Sequence, residues 1–140
     1  IPLWAKAMLL DEEVLINGDG ETSRDFCFVA NAVQANLLAA TTDSPDALNQ
    51  VYNVAVDDRT SLNGLFDLLR DCLSQERPLL AHASPGYRDF RPGDVRHSQA
   101  DISKARRLLG YSPTHRIEQG IGEAMPWYVR QLFDGPLRSN

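Results

Sequence analysis

Lysine is nearly absent from this chain. Of its fourteen basic residues only Lys6 and Lys104 are lysines. Nineteen acidic residues outnumber the basic ones, for a net charge of −5. That balance excludes the broad basic face on which nucleic-acid binding rests. Cysteine is equally scarce. Cys27 and Cys72 have no Cys or His nearby at metal-ligand spacing, so no metal is expected. Two buried free thiols in a reducing cytoplasm are expected instead, one in a strand and one in a helix. His82, His97 and His115 sit in separate segments and form no metal pair. No apolar run approaches the length of a membrane span, and no secretory signal opens the chain. Neither a glycine-rich dinucleotide loop nor an evident catalytic constellation is present. The first residue is Ile1 rather than Met, as in a chain that lacks its front part.

What is present is one domain's worth of ordinary globular sequence: 140 residues, 43% apolar and 24% charged. Ile1 to Leu10 carries apolar residues at helical spacing. Val14 to Asn17 reads as a short strand, Gly18-Asp19-Gly20 as a turn and Arg24 to Val29 as a second strand. Val29 to Thr41 is a helix rich in small residues. Gln50 to Val56 is the best strand pattern, and its nearly continuous apolar run suggests burial on both faces of a parallel sheet. Thr60 or Ser61 caps a helix to about Ser74, with Leu62, Leu65, Phe66, Leu69 and Leu73 on one face. Leu79 to Ala83 reads as a strand and Tyr87 to Gln99 as a loop. Asp101 is the expected cap of a helix over Ile102–Leu109, ended by Gly110. The last helix runs from Ile117 to Phe133, with Pro126 inside it, and Met125, Trp127 and Tyr128 read as packing residues. Asn53 is expected to bond local backbone.

Two arginine motifs lie about seventy residues apart. The first is N-G-D-G-E-T-S-R-D-F, Asn17 to Phe26, and the second is F-R-P-G-D-V-R-H-S-Q-A-D, Phe90 to Asp101. Each sets an arginine beside glycine and aspartate. A guanidinium fork matches phosphate oxygens bidentately, so Arg24 and Arg91 converging on one pocket would suit a pyrophosphate. Asp94, acceptor-only when ionised, suits a ribose diol, and Ser98 offers a polar contact or a helix-entry hydroxyl. Asp25 is placed to orient Arg24 or to cap the following helix. Spacing alone leaves a second reading open, in which both motifs are solvated turns.

The order G-D-G-E-T-S-R-D-F, V-Y-N-V-A, F-R-P-G-D and S-x-A-D-x-x-K-A-x-x-x-L-G-Y-x-P resembles the C-terminal portion of the extended short-chain dehydrogenases/reductases, over nearly the whole chain. These are NAD-dependent nucleotide-sugar epimerases and dehydratases. D-V-R-H-S-Q-A-D and M-P-W-Y-V-R are most similar to bacterial UDP-N-acetylglucosamine 4-epimerases of surface-polysaccharide synthesis. The resemblance implies that Arg24 and Arg91 bind the UDP diphosphate and that Asp94 accepts from the ribose. Leu15 and Asn17 would border the uracil, with Ser98 near the same pocket. It also implies that Val51 to Val56 completes a Rossmann sheet whose other strands are not in this chain.

Two parts of the family pattern are missing. No glycine triplet has the Gly-x-x-Gly-x-x-Gly spacing. The Tyr-x-x-x-Lys pair is absent too, since Val56, Arg91, His115 and Leu132 stand four residues after the four tyrosines. The chain is therefore expected to be α/β, mixed α+β when isolated, and a single C-terminal substrate-binding part over residues 1–140. It would bind a UDP-sugar but neither NAD nor substrate-converting groups of its own. A longer cytoplasmic parent would be an NAD-dependent UDP-hexosamine 4-epimerase, a homodimer through helices not in this chain. A sister 4,6-dehydratase or decarboxylase, and a noncatalytic nucleotide-binding module, are the rival readings.

Overall fold

The computed structural model describes residues 1–133. Its elements are mixed α and β. In order they are α1 (Pro2–Leu9), β1 (Leu15–Asn17), β2 (Ser23–Arg24), α2 (Val29–Thr41), β3 (Thr60–Ser61), α3 (Leu62–Ser74), β4 (Gly86–Arg88), α4 (Ser103–Leu109) and α5 (Ile117–Phe133). Two short 3₁₀ turns, Pro45–Ala47 and Pro78–His82, lie between them. The chain divides into two compact units, each drawn from separated segments. Of the described residues, the first comprises Ile1–Thr22, Ser61–Arg96 and Ile121 to Phe133; the second comprises Ser23–Thr60 and His97–Gly120.

The first unit follows its helical periodicity. The Ser61 hydroxyl accepts from the Gly64 amide at 3.0 Å and starts α3, as the capping pattern predicts. The same helix buries Leu65, Phe66, Leu69 and Leu73. This stripe packs against α1, which contributes Ala5, Met8 and Leu9. The 3₁₀ turn with buried Leu80 packs on α3 as well. β1 runs parallel to β4 in the register Leu15↔Gly86, Ile16↔Tyr87, Asn17↔Arg88. Strand alternation sends Ile16 fully inward and leaves Leu15 40% exposed.

The second unit packs small side chains. Ala35 of α2, Ala47, Ala55 and Ala105 of α4 form one cluster with Ile102, Leu109 and Tyr111. α4 lies against both α2 and the turn Pro45–Ala47, and Gly110 ends it at φ 67°. Among the described residues the two-residue strands β2 and β3 form a further sheet.

Several expectations give way. Gln50 to Val56 forms no strand, and Val51 is 86% exposed. A ladder needs a neighbour, and the amide of Val56 goes instead to the Asp25 carboxylate at 3.0 Å. Asn53 reaches the Asp101 carbonyl, 48 residues away, rather than local backbone. Arg24 to Val29 is extended only over Ser23–Arg24, so Cys27 lies outside any strand and is exposed, while Cys72 is half-buried in α3. Both thiols are free. Leu79 to His82 lies in a 3₁₀ turn opened by Pro78, with Ala83 just past its end, because so short an apolar run carries no distinguishing period. The start of the Tyr87–Gln99 loop belongs to β4, a strand made by its neighbour β1 rather than by its own composition. Asp101 does not cap α4 from the N-cap position, which is Ile102; its carboxylate accepts the Ser103 amide at 2.8 Å. In α5 Met125 is buried, but Trp127 is 53% exposed and stacks edge-on against Tyr128. Among the described residues no helix is long and apolar enough to cross a membrane.

Candidate nucleotide-binding site

The sequence R-P-G-D builds a tight turn. Proline fixes φ at the second position, and Gly93 takes φ 76° at the third, where a side chain would be strained. The Asp94 amide then donates to the Arg91 carbonyl at 3.1 Å, closing the turn. Arg91 and Asp94, three apart in sequence, thereby leave the chain as neighbours. Both are exposed.

The turn adjoins the end of the β1–β4 pair. A cleft of about 440 Å³ is lined by Asn17, Arg88, Asp89, Phe90, Arg91 and Pro92. Arg88 Nε donates to Asn17 Oδ1 at 2.6 Å, and the Gly18 amide donates to the Arg88 carbonyl at 2.7 Å. Gly18, at φ 78°, is where Phe90 sits: a Cβ there would stand 2.3 Å from the phenyl ring. On that ring lies the Arg96 guanidinium, 5.5 Å from the centroid, and Arg96 also pairs with Asp19 at 2.7 Å. The bond from Arg96, with one from the Glu21 amide, holds the Asp19 carboxyl below the usual carboxylate range. Asn63 at the start of α3 finishes the frame. Its side chain donates to the Asp19 carbonyl and to Glu21, and its oxygen accepts from the Tyr87 hydroxyl at 3.0 Å.

The first unit thus holds Leu15, Asn17, Arg91 and Asp94, with Asn17 and Arg91 on one cleft. The other two candidates, Arg24 and Ser98, belong to the second unit, where they share a single acceptor. Arg24 Nη1 donates to the Ser23 carbonyl at 2.8 Å, and the Ser98 amide donates to the same oxygen at 3.1 Å. The buried Ser23 lies beside His97 in a parallel bridge, with its hydroxyl 2.9 Å from Nδ1. Asp25 neither orients Arg24 nor caps α2: its carboxylate accepts the amides of Val56 and Asp57 at 3.0 and 3.1 Å and reaches that of Ala100 at 3.4 Å.

Arg88, Phe90, Asn63 and His97 were not among the expected site residues. Arg88 and Phe90 stand beside or at the start of the second motif, so their proximity to Arg91 was the available signal. His97 lies inside that motif too, but its partner Ser23 is 74 residues away, and Asn63 bonds residues 24 or more away. Among the described residues no group of His, Cys, Asp and Glu is arranged to hold a metal ion. Nor do these residues suit a dinucleotide. The sheets are two pairs of strands two or three residues long, and no glycine-rich loop leads from a strand into a helix as pyrophosphate binding of that kind requires.

The profile of the GDP-mannose 4,6 dehydratase family matches residues 1–124. A solved UDP-N-acetylglucosamine 4-epimerase from Methanobrevibacter ruminantium, in complex with UDP-N-acetylmuramic acid, is 35% identical with a TM-score of 0.78. The match covers 91% of this chain and 38% of that one. The UDP-glucuronic acid 4-epimerase of Bacillus cereus, in complex with UDP-glucuronic acid and NAD, is 29% identical with a TM-score of 0.74, over 93% of this chain and 39% of its own. A dTDP-glucose 4,6-dehydratase of Haemophilus influenzae is 31% identical, over 92% of this chain and 39% of its own. This chain spans about two fifths of the length of the relatives it matches.

Proposed function

The chain belongs to the GDP-mannose 4,6 dehydratase family, within the extended short-chain dehydrogenases/reductases, and from that premise we propose that it supplies the nucleoside-diphosphate grip of a nucleotide-sugar 4-epimerase. The observation that carries the reading is the R-P-G-D turn beside Asn17, which sets the exposed Arg91 on the lining of one cleft and closes back on it at the exposed Asp94. Arg91 and Arg24 bind the diphosphate, each through a fork that matches phosphate oxygens. Asp94 accepts from the ribose hydroxyls. Leu15 and Asn17 border the base, and Ser98 lies near the diphosphate end beside Arg24.

The sugar is a UDP-linked N-acetylhexosamine, a reading that rests on the motifs D-V-R-H-S-Q-A-D and M-P-W-Y-V-R. The redox step at carbon 4 draws on NAD held outside this chain's residues, and the chain's part is to bind and orient. Nucleotide contacts remote from the reacting carbon restrict the substrate's motion and so help orient the sugar. Val51 to Val56 pairs with a sheet beyond this chain.

Calorimetry with UDP tests the grip. Each charge-assisted contact contributes roughly 1.5–3 kcal/mol, so Arg91→Ala and Arg24→Ala each weaken UDP by at least about tenfold. A folded chain that binds no UDP, or one that binds it unchanged after both substitutions, overturns the assignment. The dehydratase relative recognises a deoxyribonucleotide by its name, which gives the rival reading its own test. If Asp94 reads the ribose diol, UDP binds more tightly than dTDP, and Asp94→Ala removes the difference. Equal affinity for the two in the unaltered chain favours the dehydratase reading.

A further inference from the structure

We propose that His97 is a positioning residue for Arg24, acting through Ser23; the proposal rests on the reading of Arg24 as a diphosphate ligand. The residues concerned all lie in the second unit. Ser23 is buried, and both of its polar ends are committed. The hydroxyl meets His97 Nδ1 at 2.9 Å. The carbonyl accepts from Arg24 Nη1 at 2.8 Å and from the Ser98 amide at 3.1 Å. A guanidinium is planar, so anchoring one of its nitrogens restricts the direction in which the whole fork faces.

The anchor is a peptide carbonyl at the edge of a two-residue strand, and such a strand has little ladder to hold it. The bond from His97 supplies part of what is missing, because it ties the Ser23 side chain to the neighbouring segment in parallel with the Ser98–Ser23 backbone bond. Two residues on, the Asp25 carboxylate ties the same pair of segments again at Ala100. Arg24 therefore projects from a backbone stitched on both sides, and His97 is the one stitch made by an exposed side chain. It can be changed without opening the core. Its role is to reduce the rotamer freedom that Arg24 loses on meeting an anion.

The test uses the 140-residue chain and UDP as the probe. The variants are His97→Ala, His97→Asn, Ser23→Ala, Arg24→Ala and the double variant His97→Ala/Arg24→Ala. Loss of one ordinary hydrogen bond predicts that His97→Ala weakens UDP by about three- to tenfold. Ser23→Ala reproduces the loss from the other side. His97→Asn, whose amide reaches the place of Nδ1, restores most of it. Added to Arg24→Ala, the His97→Ala change has no further effect, because contributions made through one group do not add. Thermal unfolding of each variant confirms that the chain remains folded.

A second readout needs no ligand. The ¹⁵N relaxation of Arg24 Nε–H reports faster motion in His97→Ala and in Ser23→Ala than in the unaltered chain. An Arg24 side chain that stays equally ordered in both overturns the proposal, as does an equal loss of UDP affinity with and without Arg24. If Arg24 loosens as expected while Arg24→Ala leaves UDP binding unchanged, the positioning stands and the diphosphate reading of Arg24 falls.

Discussion

The two units of this chain are held by different chemistry. In the first, α3 lays Leu65, Phe66, Leu69 and Leu73 on one buried stripe, and α1 answers with Ala5, Met8 and Leu9. The helices satisfy their own backbones, so the interior needs only apolar bulk. In the second, the core is largely alanine, and two stretches, 50–58 and 110–116, run without helix or ladder. Their amides and carbonyls still require partners. Side chains provide them. Asn31, fully buried, donates to the His115 carbonyl at 2.7 Å and accepts the amides of Thr114 and His115 at 2.8 and 3.1 Å. Tyr111 donates its hydroxyl to the Ala55 carbonyl, and Asp25 accepts from Val56 and Asp57. Where backbone is irregular, specific polar atoms do what periodic leucines do elsewhere.

The contrast can be broken from the apolar side first. Leu69 is fully buried at the centre of the α3 stripe. Leu69→Ala removes its packing and leaves a cavity, so it should cost about 2–5 kcal/mol in urea unfolding. Replacement by methionine, close in volume, should cost under about 1.5 kcal/mol. If Leu69→Ala cost no more than Leu69→Met, the stripe would not be the structural element it is taken for here.

Asn31 is the corresponding residue of the second unit, and it should behave in the opposite way towards apolar replacement. Asn31→Ala orphans two amides and a carbonyl. Each orphaned buried group costs about 1–3 kcal/mol, and water reaching the exposed Thr114 relieves part of that, leaving a net loss of about 2 kcal/mol. Asn31→Leu refills the space but not the bonds, so it should recover little in the same unfolding experiment. Full recovery would mean that volume, not bonding, holds this segment, and the difference between the units would disappear.

The same contrast explains what could be read from the sequence. The α3 stripe, its Ser61 cap and the span Val29–Thr41 were legible because each is written in local spacing. So was the R-P-G-D turn, whose proline and glycine fill the two positions that the turn demands. The β1–β4 pairing was not, since Gly86-Tyr87-Arg88 carries no strand signal and becomes a strand only beside a segment 71 residues earlier. Asp25 was read as orienting Arg24 or capping the helix that follows, but its partners are 31 to 75 residues away. Ser23 and His97 escaped for the same reason. The Val51–Val56 run shows the converse case: its composition is that of a strand, but it forms none here, because composition supplies no neighbour to pair with.

Tyr111 gives the smallest and most selective of these tests. Its hydroxyl is buried against Ala55, and burial is the main cause pushing its pKa from 10.0 up to about 12. The folded state therefore holds the phenolic proton more tightly than the unfolded state does. By linkage, that contribution to stability is complete below pH 10 and is lost as pH rises from 10 towards 12. Tyr111→Phe removes both the bond and the titration. At neutral pH it should cost about 1 kcal/mol, since one buried carbonyl loses its donor. Above pH 10 the gap between the two proteins should narrow, because only the tyrosine form has a phenol to ionise. Denaturant unfolding at pH 8, 10 and 11.5 measures the difference directly. A gap that stayed constant across that range would show that the hydroxyl is not held as the Ala55 bond requires, and the second unit would lose one of the polar ties that distinguish it from the first.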